Sequence, residues 1–431
     1  MRKNIEAALF LLGLVAIPGS STAAVFNVST SAQLQQALTD ASLSAEDDTI
    51  NVAAGTYLTS DNGDAPFIYL VESIDPAAGG LTIRGQGMDQ SLLNGSGTSE
   101  ILDIQDYAST GSILVENLGL INGSRDTCYA GGLAVNLGSN STMDLTVQDC
   151  AFDNNICPVN GGAALSNFSG PITFTNNLVT NNQATSEGTG GVFFSVATPA
   201  PLVITNNVFY RNTSVVQGGG FYFTSADNQV TTITNNTIIE NEADLGGGIY
   251  IAQSSSATAN LYNNIVFGNI SALDPNNADI FSQNLSNSTL NVFNNDFNLL
   301  NNSGGATLNQ GNNLNVDPAL VDPIGGNFQL SAGSPMIDQG DPAAPAMPGS
   351  DFAGDPRPAI AGTNPDIGAF EFQPIPSPSP TPTPTAPVTP SLQGGSCALS
   401  DATATHQNIW VGLSALGLFG LGIRRITRTR E

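Results

Sequence analysis

Basic side chains are nearly missing from this chain. Its sole lysine is Lys3, and its one histidine, His406, lies in the C-terminal tail. Between Val25 and Phe372 the only bases are Arg84, Arg125, Arg211 and Arg357. Thirty-three acids stand there too (36 in all, less Glu6, Asp401 and Glu431), so this body carries 29 net negative charges. Such a body repels nucleic acid and anionic membrane surfaces, which excludes a nucleic-acid partner. It would attract calcium only weakly and diffusely, since no EF-hand or RTX-type loop is present. Serine-nucleophile, phosphate-loop and zinc patterns are also missing, and no cofactor or dedicated metal site is expected. No window carries an apolar stripe at helical spacing, which argues against a helical body.

What is present is a repeat. Gly-Gly steps recur at Gly131-Gly132, Gly161-Gly162, Gly190-Gly191, Gly219-Gly220 and Gly247-Gly248, at intervals of 30, 29, 29 and 28. Paired polar corners keep step with them: Gln148-Asp149, Asn176-Asn177, Asn206-Asn207, Asn235-Asn236, Asn263-Asn264 and Asn294-Asn295. A unit this short cannot bury its apolar face alone and must stack on its neighbours.

The unit from Gly218 to Asn241 holds three short runs: Phe221 to Thr224, Val230 to Thr234 and Thr237 to Ile239. They are rich in β-branched and aromatic residues and are separated by Gly, Asn and Asp, which reads as three strands. The period is too long for a leucine-rich repeat and too short for a propeller blade. The expected fold is therefore all-β, a right-handed single-stranded parallel β-helix with three strands per rung. Asparagine suits the corners because it tolerates a left-handed backbone. Stacking should then align Asn177, Asn207, Asn236, Asn264 and Asn295 into a hydrogen-bonded ladder. Asn154, Asn182, Asn212, Asn241 and Asn269 should form a second. The alternative, that these asparagines bind a sugar or ion, is less consistent with their fixed phase.

The two ends read as addresses. Residues 1–24 resemble a secretory signal, with Arg2 and Lys3, the apolar Ala7 to Ile17, and the small residues Ser21-Thr22-Ala23-Ala24 for cleavage after Ala23 or Ala24. Residues 373–396 form a Pro/Ser/Thr-rich linker that leads into Gly394-Gly395-Ser396-Cys397. Residues 397–431 hold the apolar Ile409 to Ile423 and then Arg424, Arg425, Arg428 and Arg430. That apolar run falls short of the roughly 20 residues that span a bilayer. The arrangement resembles the tripartite sorting signals of bacterial surface proteins. The resemblance implies Cys397 as the processing or lipid-attachment residue, a sorting protease as partner, and contact with the membrane through the tail. A plain membrane tail is the alternative. Either way the chain is expected outside the cell, on a bacterial surface or outer envelope, anchored by its C-terminus.

Cys128 and Cys157 occupy nearly the same phase of adjacent units, and an exported protein can oxidise them. A Cys150–Cys157 pairing remains a rival. Cys150 itself is expected in phase with Leu178, Val208 and Ile265, packed in the interior.

Residues 25–112 read as a cap with irregular first rungs. Thr30 or Ser31 should cap a helix over 32–42, with Leu34, Ala37, Leu38 and Ala41 on one face. A helix there would cover strand edges. Regular rungs follow over 113–300, and C-terminal rungs with an end module over 301–372. The opening, with Asp48-Thr49-Ile50 and Ala54-Gly55-Thr56-Tyr57, is similar to bacterial β-helix proteins of the pectate-lyase-like superfamily. The end carries Asp317-Pro318-Ala319-Leu320, Gly333-Ser334-Pro335-Met336-Ile337-Asp338-Gln339-Gly340 and Pro365-Asp366-Ile367-Gly368-Ala369-Phe370-Glu371. It resembles the choice-of-anchor Q domain, a β-helix end module found ahead of varied anchors. Asp338, Asp351, Asp355, Asp366 and Glu371 are read there as turn caps, one of them pairing with Arg357, rather than as a calcium cluster.

The superfamily includes polysaccharide lyases and polygalacturonases, which implies a carbohydrate context. A lyase needs a base beside a uronate carboxylate, and here only Arg125 and Arg211 lie in the regular rungs. A polygalacturonase-like site with accessory His and Lys is missing. Paired carboxylates could cleave a neutral glycan, and Glu240, Glu242 and Asp244 cluster in sequence near Tyr250. The expected function is an anchored, mostly non-catalytic adhesin or carbohydrate binder, meeting an extracellular polysaccharide or a host or neighbouring cell surface. A cell-surface carbohydrate-active enzyme is the alternative.

Overall fold

The computed structural model describes residues 22–72, 78–273, 279–284, 287–360 and 362–373. Residues 1–21 of the expected signal (1–24), nearly all of the linker and the tail with Cys397 lie outside the described residues.

The chain winds as a right-handed parallel β-helix. Each central rung contributes one strand to each of three long walls. The first wall has nine strands, from Phe67–Val71 to Leu300–Ser303, and includes the strands that follow the Gly-Gly steps. The second has eleven, from Val25–Val28 to Thr307–Gly311. The third has nine short strands, from Gly55–Leu58 to Asp296–Phe297. A fourth, narrow sheet adds to the three walls: Ile156–Cys157, Gln183–Ala184, Thr213–Ser214, Glu242–Ala243 and Ile270–Ser271. Two-residue strands are too short to show any alternation in sequence, so this sheet was not expected.

Inside, alternate residues of each wall converge on a dry core in which Phe152, Phe174, Phe194, Phe209, Phe221 and Phe223 are fully buried. Phe174 meets Phe194 edge-on at 5.3 Å, and Phe209 lies 5.0 Å from Phe221, distances at which ring quadrupoles attract. The Gly-Gly steps stand where successive backbones nearly touch. A Cβ on Gly191 would lie 2.0 Å from the carbonyl oxygen of Gly220, and one on Gly162 would lie 2.6 Å from that of Gly191.

The first corner divides its labour between two residues. Asn176, Asn206, Asn235, Asn263 and Asn294 take the left-handed backbone, with φ of 60°, 58°, 55°, 56° and 54°. The next residue points inward and makes the ladder. In each step the backbone N–H and the Nδ2 of one asparagine both donate to the Oδ1 of the next: Asn177 to Asn207, Asn207 to Asn236, Asn236 to Asn264, and Asn264 to Asn295. Asn313 closes it. Asp149 has the left-handed φ of 53°, so it aligns with Asn176 rather than Asn177. The inward place falls to Cys150, whose N–H donates to Asn177 Oδ1 at 2.9 Å. The expected phase of Cys150 was thus one residue out: Ala151, not Cys150, pairs with Leu178.

The second ladder needs the same correction. Its top member is Asn155, which donates to Asn182 Oδ1, whereas Asn154 takes the left-handed corner at φ 54° and faces outward. Asn182, Asn212, Asn241 and Asn269 continue it, and Asp279 ends it as acceptor.

The helix Ser31–Ser42 covers the N-terminal end, capped by Thr30 Oγ1 accepting from Gln33 N–H. Its buried face is Ser31, Leu34, Ala37, Leu38 and Ala41. Gln35 completes the cover. Its side-chain amide donates to Ile68 O at 3.0 Å and accepts from Ile68 N–H at 2.9 Å, imitating a strand at the edge of Phe67–Val71.

The C-terminal module turns back along the flank of the column. Phe328, Leu330, Met336, Ile367, Ala369 and Phe370 pack on the outer side of the third wall, against Val208, Tyr210, Ile239 and Ile265. The left-handed asparagines hold its backbone: Asn206 donates to Ser350 O, Asn235 to Asp366 O, Asn263 to Asp341 O and Asn294 to Gln339 O. The third wall and first corner are therefore covered over several rungs, and the first wall is not part of this contact.

Candidate functional site

Outward residues of the first wall fall into register as columns. One runs Asp103, Ala134, Ala164, Phe193, Tyr222, Tyr250 and Phe281. Beside it run Gln105, Asn136, Ser166, Ser195 and Thr224. The four rings follow one another at centroid distances of 5.1, 4.9 and 5.2 Å, the first contact tilted, the second edge-on and the third stacked. Rings in such contact cover part of one another, so they do not all offer an open platform. Tyr250 and Phe281 are 5% and 9% exposed, whereas Phe193 and Tyr222 are half-buried and reach solvent. Burial, then the neighbouring Tyr250, pushes the Tyr222 phenol up to about 12. It therefore stays neutral and can donate as well as accept. Thr224 Oγ1 donates to Ser195 Oγ, linking two hydroxyls of the neighbouring column.

A polar cluster closes the head of this column. Arg125 Nη1 pairs with Glu100 Oε1 at 3.1 Å. Gln105 Nε2 donates to Asp103 Oδ2 at 2.7 Å, and Tyr107 Oη donates to Gln105 Oε1 at 3.0 Å. Asn136 Nδ2 reaches Tyr107 Oη at 3.4 Å. The Cys128–Cys157 disulfide pins the loop that carries Arg125 and the exposed Tyr129 to the next rung. Burial raises the Glu100 carboxyl, Asp103 raises it further, and Arg125 opposes both. Burial raises Asp103, against the Gln105 hydrogen bond. Two adjacent carboxyls held above their ordinary range can accept sugar hydroxyls, or serve as a proton donor. The reading from sequence found Arg125 but not Glu100 or Asp103. Their signal was the alternation Leu102-Asp103-Ile104-Gln105, which places a carboxylate on an outward strand position.

Arg211 and Glu240 belong to a different place. They occupy the second corner of adjacent rungs at φ 55° and 53°, where Asn122, Asn154 and Asn181 stand in earlier rungs. A left-handed backbone is costlier for Arg and Glu than for Asn. The exchange gives an ion pair, Arg211 Nε to Glu240 Oε2 at 2.8 Å, with the guanidinium 4.8 Å from the Tyr210 ring centre. Glu240 also lines a cleft of about 480 Å³ with Phe267, Asp317, Leu320 and Pro323 of the module's edge. Glu242 and Asp244 do not join it. Glu242 is an exposed outward residue of the narrow sheet, and Asp244 lies half-buried in the following loop. The three carboxylates that cluster in sequence fall on three different elements: Glu240 on the left-handed corner, Glu242 on the narrow strand and Asp244 in the loop after it.

All four arginines of the body are engaged: Arg84 with Glu116, Arg125 with Glu100, Arg211 with Glu240, and Arg357 with Glu371. The last pair is buried inside the module, at 2.9 Å. Asp351 accepts from the N–H groups of Ala353, Asp355 and Glu371, and Asp366 accepts from those of Asp338 and Phe372. These carboxylates cap turns. Among the described residues no three His, Cys, Asp or Glu side chains converge as a metal centre requires.

No family model matches the chain, and no curated protein does. Among solved structures it is similar to pectate lyase Pel9A, at 13% identity and a TM-score of 0.35, covering 81% of this chain and 97% of that one. It is also similar to an alginate lyase from Paenibacillus sp. str. FPU-7, at 12% identity and a TM-score of 0.26, covering 68% of this chain and 99% of that one. The Agl-KA catalytic domain follows at 15% identity and 0.26, covering 65% of each. At these scores the likeness assigns no residue a role.

Proposed function

We propose that the protein binds a neutral polysaccharide along the outer face of the first wall. The observation that carries this reading is the aligned pair of columns. Phe193 and Tyr222 supply apolar ring surface, and Asn136, Ser166, Ser195 and Thr224 supply neutral hydrogen-bonding groups beside them. Sugar rings present the same two kinds of surface, an apolar C–H face and a rim of hydroxyls. The net charge of the body and the pairing of its arginines disfavour an anionic chain. Export and C-terminal anchoring, read from residues 1–24 and 373–431, and the end-module resemblance would make this a binder displayed outside the cell.

A second reading is hydrolysis of that same glycan, favoured by the raised carboxyls of Glu100 and Asp103 at the head of the column. One experiment separates the two. The protein is applied to an array of neutral and acidic glycans, and each hit is analysed for new reducing or unsaturated ends. Binding without new ends supports the binder. Release of reducing ends that Glu100→Gln abolishes supports the hydrolase. Phe193→Ala and Tyr222→Ala should each weaken binding at least about fivefold, roughly 1 kcal/mol. Unchanged affinity in both variants would remove the first wall from the reading.

A further inference from the structure

The two ends of the column are finished differently. At the N-terminal end the helix Ser31–Ser42 lies over the interior, and Gln35 occupies the hydrogen bonds of the Phe67–Val71 edge. At the C-terminal end the second wall stops at Thr307–Gly311, which pairs with Thr289–Phe293 on one side. Among the described residues no strand pairs with its other side. Half of its backbone N–H and C=O groups therefore face outward along the axis. Thr307, Asn309 and Gln310 are exposed, and Leu308 is only partly covered by the core. Two asparagine series stop here: on the second wall Asn309 Nδ2 donates up to Asn291 Oδ1 and Asn291 Nδ2 to Asn260 Oδ1, and Asn313 is the lowest member of the first ladder.

Edge strands of natural proteins are usually guarded by charge, proline or a covering element. Among the described residues this one has no covering element. From Asn298 to Val316 the chain has no charged residue and no proline, within a body carrying 29 net negative charges. Acidity elsewhere makes contact between two copies unfavourable at long range. Along this edge strand the chain itself adds no charge to that repulsion.

We propose that the C-terminal end docks a second copy of this chain, end to end. The strand Thr307–Gly311 lies antiparallel to the same strand of the second copy, and the asparagine ladders of the two columns meet. The contact is isologous, because the helix over the N-terminal end blocks head-to-tail stacking. It closes at a dimer and does not grow into a fibre. Asn309, the central residue of the strand, then lies next to the two-fold axis.

The test uses the full chain with Cys397→Ser, so that the tail thiol forms no cross-link. Sedimentation velocity over a concentration series should show a monomer–dimer equilibrium. Asn309→Lys and Gln310→Lys should each lower the association constant at least tenfold while circular dichroism stays unchanged. Asn309→Cys should form an intermolecular disulfide under mild oxidation, as a residue beside a two-fold axis does. A Cys397→Ser chain, otherwise unchanged, that stays monomeric to about 100 µM overturns the proposal, since a contact weaker than that is not a specific dimer. So does a dimer that ignores both lysines and does not cross-link through Asn309→Cys. Assemblies larger than a dimer would overturn the closed arrangement.

Discussion

Removing one ladder asparagine tests the physical basis of the fold. Asn236 is fully buried in the middle of the first ladder. Its Oδ1 accepts both the N–H and the Nδ2 of Asn207, each at 2.9 Å. Its own Nδ2 donates to Ile204 O and Asn264 Oδ1, each at 2.9 Å. Asn236→Ala keeps the backbone N–H bond to Asn264 but strands the Asn207 N–H, takes the side-chain donor from the Ile204 carbonyl, and removes one of the two acceptors of Asn207 Nδ2, which still donates to Phe174 O. An orphaned buried group costs roughly 1–3 kcal/mol, and neighbours share part of the loss, so about 3–6 kcal/mol is expected. The outer-corner variant Asn176→Ala is the control. It keeps the ladder and puts alanine at φ 60°, which costs about 1–2 kcal/mol. Guanidinium unfolding followed by circular dichroism gives both values, provided the slope of the transition is unchanged. If Asn236→Ala costs less than about 1 kcal/mol, or no more than Asn176→Ala, the ladder does not stabilise the column as argued.

Two further outcomes follow from buried chemistry. Replacing Cys128 and Cys157 by serine opens a loop with a sequence separation of 29, and the chain-entropy model puts the loss at roughly 3–4 kcal/mol. A double variant as stable as the parent in guanidinium would refute it. Asp296 is fully buried, with Val316 N–H on Oδ1 and no partner on Oδ2. Burial pushes its carboxyl up to about 6, with Asp279 and Asp317 adding to the rise and the Val316 hydrogen bond opposing it. The folded state then holds a proton that the unfolded chain has released. Stability is fullest below about pH 4 and falls as the pH rises through about 6, by at most about 3 kcal/mol from this group. Asp296→Asn should flatten that window and stabilise the protein at pH 7. An unchanged pH profile of the unfolding midpoint would falsify the assignment.

Much of the column could be read from its repeats, because stacking forces equivalent residues into equal spacing. The inward asparagines from Asn177 to Asn295, the cap helix and the paired phase of Cys128 and Cys157 all followed from that. The errors arose where the pattern offered two adjacent polar residues. Gln148-Asp149 looks like a corner, but a left-handed aspartate followed by an inward cysteine has the same outline. Asn154-Asn155 offers two candidates for one ladder place, and only the backbone decides between them. The path of the module was written in the third-wall strands. Val208-Phe209-Tyr210 and Thr237-Ile238-Ile239 are apolar on both faces, which a solvent-facing strand would not be. Glu100 and Asp103 could not be found by period at all. They precede the regular rungs, and their significance depends on Arg125 arriving from the following turn.

The pairing of the arginines bears most on function. A base that abstracts a proton beside a uronate must give up its own proton and must first attract the substrate's carboxylate. A guanidinium already bonded to a glutamate is disfavoured on both counts. The partner stabilises its charged form and also neutralises the field that would draw an anion in. Arg125 and Arg211, the two arginines placed in the regular rungs, are both so engaged. Freeing either would leave a carboxylate unpaired in a body that is already strongly acidic. The geometry thus turns both candidates for a lyase base into supports for their neighbouring glutamates. Of those glutamates, Glu100 stands at the head of the first-wall column, beside a second raised carboxyl. Any chemistry on a neutral chain bound along that wall would begin at Glu100 and Asp103, with Arg125 setting the orientation of Glu100.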